Sequence, residues 1–95
     1  MEKLHSYSWA VEQLRLGKRV CRKGWNGKNM FIYLTPGTYI DHNDLRDDLK
    51  SILNGKVSEK VKINPHIDMK AADGSLTIGW VASQVDTLSY DWMLA

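Results

Sequence analysis

Read along the chain, the apolar positions change period several times, and each change marks an element. In "SYSWAVEQLRLGK", Tyr7, Ala10, Val11 and Leu14 recur at helical spacing behind Ser6, a hydroxyl residue suited to capping the first free N–H groups, and Gly17 stands just past the end. That stripe predicts a first helix with one face toward a core. Trp9 and Leu16 fall on the opposite side at about 100° per residue, which leaves them exposed or covered by another subunit. "KRVCRK" reads as a short strand. "NMFIYLT" reads as a second, with Met30, Ile32 and Leu34 alternating with Phe31, Tyr33 and Thr35. Both faces of this strand are apolar or aromatic, which fits a sheet with a helix on one side and a ligand or neighbouring subunit on the other.

After the break at "PGT", the segment "DHNDLRDDLKSILNG" predicts a second helix, with Leu45, Leu49, Ile52 and Leu53 on one side and Gly55 at its end. Asp44, Asp47 and Asp48 fall in its first turns and Lys50 later, the order the helix dipole favours. In "KVSEKVKINP", Val61 and Ile63 alternate as a short strand before the Asn64–Pro65 break. "HIDMKAADGSLTIGWVA" is a hairpin: Ile67 and Met69 lead in, Asp73 and Gly74 turn, and Leu76, Ile78 and Trp80 lead out. Gly79 inside the outgoing strand marks a bulge or a close backbone approach, and Trp80 belongs to the core. In "SQVDTLSYDWMLA", Ser83 three residues before Asp86 resembles a capping box opening a helical turn; Tyr90 and Trp92 follow, the latter for packing or for an interface. The sum is an α+β fold: a single small domain over residues 1–95, with a mostly antiparallel twisted sheet and two helices, assembling as a homo-oligomer.

Composition narrows the setting. A chain of 95 residues lies near the lower end of the size at which one core is self-sufficient, so self-association is expected to add stability. Apolar content of 43% and charged content of 25% are ordinary for a globular protein, and no stretch approaches the ~20 apolar residues of a membrane span. The first residues lack the pattern of a signal peptide, and the single cysteine, Cys21, forms no internal disulfide; a cytoplasmic location is the expectation. The net charge of +2 is too small to point to nucleic acid.

Among candidate chemistries, most are unsupported. His5, His42 and His66 lie far apart with no partner at metal-ligand spacing, so neither a metal nor another cofactor is implied. The nucleophile elbow is missing, and "GWNGK" lacks the length and hydroxyl residue of a phosphate-binding P-loop. Asp68, Asp73, Asp86 and Asp91 offer material for a carboxylate pair, although Asp73 suits a turn and Asp86 a cap. Trp25 is the residue that asks for an explanation. It sits in "RKGWNGKNMFIYL" within a turn whose Gly24, Asn26, Gly27 and Asn29 all tolerate positive φ. Either it folds back as a lid over the core, or it is a stacking platform for a base, worth about 1 to 3 kcal/mol, with Arg22, Lys23 and Lys28 beside it to meet a phosphate.

That motif, together with "PHIDMKAADGSLTIGWVASQVDTLSYDW" and the "GKRV" exit of the first helix, resembles the phage-encoded Thoeris anti-defence proteins of the second type. The resemblance covers nearly all the chain except its middle. It implies a molecular sponge rather than an enzyme: a homo-oligomer, commonly a tetramer, that binds the glycocyclic ADP-ribose signal of bacterial TIR-domain proteins and holds it intact. Some relatives also take cyclic dinucleotides at separate sites. Carried over by position, the resemblance implies that Trp25, Asn26, Met30 and Phe31 line the signal pocket, with Met69, Asp73 and Thr77, and then Ser83, Gln84 and Asp86, contributing from the second motif. Asn29 stands where the family commonly has glycine, and asparagine accepts the same backbone region. Nanomolar binding needs about 12 kcal/mol, more than one stack and two phosphate contacts supply, so a pocket drawn from two subunits is expected. A hydrolase of the same signal and a single-strand nucleic-acid module are the rival readings.

Overall fold

The helix predicted behind Ser6 forms as α1 (Tyr7–Arg15) in the computed structural model, which describes residues 3–25, 29–53 and 60–95. Ser6 is extended and its hydroxyl accepts from the Trp9 N–H at 3.3 Å, satisfying one of the helix's orphan donors. The N–H of Leu16 returns to the Glu12 and Gln13 carbonyls, and Gly17 follows with φ 82. In chain order the remaining elements are β1 (Val20–Arg22), β2 (Phe31–Thr35), β3 (Thr38–Asp41), a 3-10 turn (His42–Asp44), α2 (Asp47–Leu53), β4 (Lys60–Ile63), β5 (His66–Lys70), β6 (Leu76–Thr77), α3 (Gln84–Leu88) and β7 (Trp92–Leu94).

Contacts group these into two units, Met1–Thr35 with His66–Ala95, and Pro36–Pro65. The first is built on a five-stranded antiparallel sheet in the order β6-β5-β2-β1-β7. Its registers place Val20 opposite Ile32 and Leu94, Ile32 opposite Met69, and Leu34 opposite Ile67, so these side chains share one face. Helix α1 lays Ala10 and Leu14 on that face, and with Val20, Ile32 and Trp92 they make the buried cluster. Trp92 is the largest side chain fully buried, which resolves its two sequence readings in favour of packing; its burial stabilises by about 3 kcal/mol. Its indole N–H donates to the Asp86 carbonyl at 2.9 Å, so the ring's one polar atom is paired where it is buried.

Trp9 is half-buried by its own chain rather than left on an outer face. The N–H groups of His5 and Trp92 each donate to the other's carbonyl, at 2.8 and 3.0 Å, and this bridge brings the His5 ring under Trp9, 3.8 Å between centroids and 11° from parallel. Leu16 remains 69% exposed.

The hairpin turns at Asp73–Gly74 as predicted, but its outgoing strand stops at Thr77. The reason lies in Asp68, the one buried polar residue among those described. Its carboxylate accepts the Gly79 N–H at 2.8 Å and the Thr35 hydroxyl at 2.5 Å, with His66 Nε2 at 3.3 Å. The Gly79 bond pulls the chain out of line, at a φ of 80 that glycine reaches without strain. The Trp80 N–H then donates to the Ile67 carbonyl at 2.7 Å, and Trp80 packs against the core as expected. Ile78 stays exposed.

In the second unit β3 and β4 pair from Thr38 opposite Ile63 to Asp41 opposite Lys60. The sequence pattern indicates β4 and misses β3. The second predicted helix is split: the Asp41 side chain accepts the Asn43 N–H at 3.0 Å, opening the 3-10 turn, and Leu45 is extended. Helix α2 therefore starts only at Asp47, and of the predicted apolar stripe Leu45 is buried while Ile52 is 75% exposed. Gly55 and the segment 54–59 lie outside the described residues. The third helix, α3, is the tail turn read from Ser83 and Asp86, and its capping box is complete in both directions, at 3.0 and 3.2 Å. No helix among the described residues is long and apolar enough to cross a membrane.

Candidate functional site

The turn that follows β1 is held by the tail of the chain. Arg22 Nε donates to Asp91 Oδ1 at 2.8 Å and Nη2 to Oδ2 at 3.3 Å, a bidentate pair, while Nη1 donates to Asp86 Oδ1 at 2.8 Å. The three side chains are only 14 to 24% exposed, so these bonds are screened little by water. Asp91 also accepts the Gly24 N–H at 2.9 Å on Oδ2, and its backbone carbonyl accepts the Lys23 N–H at 3.0 Å. A Cβ on Gly24 would sit 2.9 Å from Asp91 Oδ2, so glycine is needed here for space.

Trp25 is carried by the same lock. Its Nε1–H donates to Asp86 Oδ1 at 3.2 Å, and its ring stands edge-on to Trp92, at 5.3 Å and 79°, and to Trp80, at 6.1 Å and 73°. It is half-buried against the core, so the lid reading describes its position in the folded chain. Burial raises the Asp86 carboxyl, but hydrogen bonds from Arg22, Trp25 and Ser83 outweigh this and hold it below the usual carboxylate range. Asp91 is held low chiefly by the Arg22 guanidinium, whose own pKa is raised in return by Asp91 first and Asp86 second.

The opposite face of the sheet carries a different kind of site. Cys21 pairs with Met93 and Phe31 with Lys70, and the Val20–Ile32 register sets Cys21 beside Phe31, so the four make one row across the sheet away from α1. With Arg19 and Met30 they line a cleft of about 480 Å³. The Arg19 guanidinium lies over the Phe31 ring, 4.7 Å from its centroid, and Lys70 Nζ is 5.7 Å from the same centroid. Lys70 Nζ also donates to the Asn29 carbonyl at 3.2 Å, and Asn29 has φ 67, the backbone region expected of it. None of the described residues lining the cleft has an acidic side chain.

The residues singled out from sequence therefore separate into groups. Arg22, Trp25, Ser83 and Asp86 converge on the α1 side, and Met30 and Phe31 stand in the cleft on the other. Arg22, expected to meet a phosphate, has three guanidinium nitrogens on carboxylates, because the tail brings Asp86 and Asp91 to it. Lys23 is exposed beside this lock. Met69 packs on the core, with Thr77 exposed opposite it in β6. Asp73 is the hairpin-tip residue, accepting from the Ser75 hydroxyl and N–H at 2.7 and 2.9 Å, and the hydroxyl bond is the main cause of its lowered pKa. Gln84 is exposed at the start of α3. Asn26 and Lys28 lie outside the described residues. Sequence reasoning missed Asp91 in the lock and Arg19 and Lys70 in the cleft. Strand alternation carried a signal for the last two, since Arg19 shares a face with Cys21, and Lys70 lies opposite Phe31 once β2 and β5 are paired.

Fold and site together define a small antiparallel α+β domain with a tail-locked tryptophan turn on one face and a cationic, aromatic cleft on the other. The chain belongs to the Thoeris anti-defense 2-like family, whose domain matches residues 5–95. It is 38% identical over 87 residues to Thoeris anti-defense 2 of Bacillus phage SP01, a span covering 92% of this chain and 90% of that protein. The family read from the two motifs is the one that matches.

Proposed function

We propose that this is a phage immune-evasion protein that binds glycocyclic ADP-ribose, the signal of bacterial TIR-domain defence, and sequesters it uncleaved inside the infected cell. The observation that carries the reading, within this family, is the Phe31 cleft. Its volume lies in the range of small-ligand sites, its walls combine an aromatic ring with methionines and two cations, and none of the described residues lining it has an acidic side chain. Those are the complements of a base and of phosphates.

Two further features support details of the proposal. The carboxylates Asp86 and Asp91 are held low by Arg22, whereas a general base working near neutral pH needs a pKa close to 7; this favours storage over hydrolysis. Leu76, Ile78, Val81, Val85, Leu88 and Tyr90 are each more than half exposed along one stretch of chain. An apolar surface of that kind favours a homo-oligomer, in our reading a tetramer, with two subunits completing each pocket. Cyclic dinucleotides are secondary candidates as ligands.

Native mass spectrometry with glycocyclic ADP-ribose and a panel of cyclic dinucleotides tests this, followed by chromatography of the ligand released by heat. Stoichiometric binding to an oligomer with intact ligand recovered is the expected result. A cleaved product would make the protein a hydrolase. A monomer at micromolar concentration that binds nothing ends the sequestration reading.

A further inference from the structure

The cations of the cleft are arranged unlike the others for which an ion pair is seen. Arg15 is paired with Glu12, Arg22 with Asp86 and Asp91, and Arg46 lies near Asp48. Arg19 and Lys70 instead share one aromatic ring, approaching it from the strands on either side of β2, and among the described residues no carboxylate pairs with either. Asp68, on Lys70's own face of β5, is buried and already holds Gly79, Thr35 and His66, and Asp73 at the hairpin tip feels the Lys70 charge but gives its carboxylate to the Ser75 hydroxyl and N–H. The Asn29 carbonyl fixes the Lys70 ammonium in place without neutralising it.

Two like charges held around one ring repel each other, and the ring's negative face offsets only part of that repulsion. An anion bridging them would remove it. Apolar walls formed by Met30, Met93 and Cys21 lower the local dielectric and strengthen such bonds. We infer that Arg19 and Lys70 form an anion clamp across Phe31 that takes a diphosphate, one phosphate to each cation. The inference rests on the sequestration reading for the identity of the natural ligand and deepens it by naming the part of that ligand the cleft holds. With two cations among the described lining residues, the clamp suits a small ligand better than a polynucleotide backbone, which asks for a longer basic track.

The test uses the full chain with methyl-labelled methionines, titrated with inorganic pyrophosphate and separately with glycocyclic ADP-ribose. Pyrophosphate should shift the Met30 and Met93 methyl signals and leave Met69, on the core side, unmoved. Arg19→Gln and Lys70→Gln should each weaken binding of the cyclic ligand by roughly tenfold and each lower the salt dependence of that binding by about one ion. Both variants alter side chains outside the buried cluster, and an unchanged melting temperature confirms that they fold. Wild-type affinity for the cyclic ligand in the double variant overturns the clamp while leaving sequestration intact. Should the cyclic ligand fail to bind the unaltered protein, the sequestration reading falls, and pyrophosphate alone then decides: a Met30 and Met93 response supports the clamp, and none overturns it. Binding of single-stranded oligonucleotides that tightens with length also overturns the small-ligand assignment.

Discussion

Arg19 immediately precedes the short strand β1 and Arg22 ends it, an odd number of residues apart, and so they face opposite sides of the sheet. Arg22 meets two carboxylates delivered by the tail and becomes part of the scaffold. Arg19 meets an aromatic ring and keeps its hydrogen-bonding edge toward a cleft. The difference teaches that a basic residue in a sequence motif has no fixed job. Whether it builds or binds depends on which acids the distant chain brings to it, and the nearest sequence neighbours are silent on that point.

The sharpest way to break the comparison is to neutralise each arginine without shortening it. Arg22→Met leaves Asp86 and Asp91 facing each other without their counter-ion and should destabilise by about 3 kcal/mol, near the low end for breaking a desolvated pair because the lock keeps some water contact. Arg19→Met should stay within about 0.5 kcal/mol of the starting protein in the same urea titration. Equal losses in the two variants would show that both arginines are scaffold.

Acidity offers a second, smaller contrast. Asp86 and Asp91 are both depressed by the fold, so their contribution is complete above the unfolded carboxylate pKa of about 4 and is lost as pH falls through the lower folded values. Stability should therefore be flat from neutral pH to about pH 5 and decline below about pH 4, and Asp91→Asn should flatten the acid limb. A melting temperature that falls between pH 8 and 6 instead would assign the dependence to another group.

The smallest expected effect is steric. Gly24→Ala drives a Cβ to 2.9 Å from Asp91 Oδ2 and should cost about 1 to 2 kcal/mol, and the same substitution should cost much less in an Asp91→Ser background, where the lock is already lost. Additive losses in the double variant would remove Asp91 as the reason for glycine at this position.

What was legible in the sequence follows the range of the interactions involved. Ser6, the Asp73–Gly74 turn and the Ser83–Asp86 box act within four residues, and each appears where the pattern indicates. Phe31 was reachable too, since alternation sets it on the face opposite the core-facing Ile32; the same alternation groups Met30 with Ile32, and Met30 reaches the cleft because β2 begins only at Phe31. The partner of Arg22 was not legible: Asp91 is 69 residues away, and nothing local distinguishes it from the other aspartates of the tail. The early stop of the outgoing hairpin strand has a similar origin, because it depends on a buried carboxylate reaching Gly79 across eleven residues. The split of the second helix was a competition between its apolar period and an aspartate that caps a tighter turn, and the local cap prevailed.

The bridge between His5 and Trp92 has a bearing on how the protein comes into being. Helix α1 leaves the ribosome well before the tail, yet the indole that completes its buried face, the carboxylates that fix the turn after β1, and the edge strand beside β1 all belong to residues 86–94. During synthesis Ala10, Leu14 and Val20 must wait uncovered for several seconds at ordinary elongation rates, and the first unit can close only after β7 has emerged. A nascent chain paused before Trp92 therefore keeps the apolar face of α1 uncovered, and this core can be sealed only once its last strand has been made.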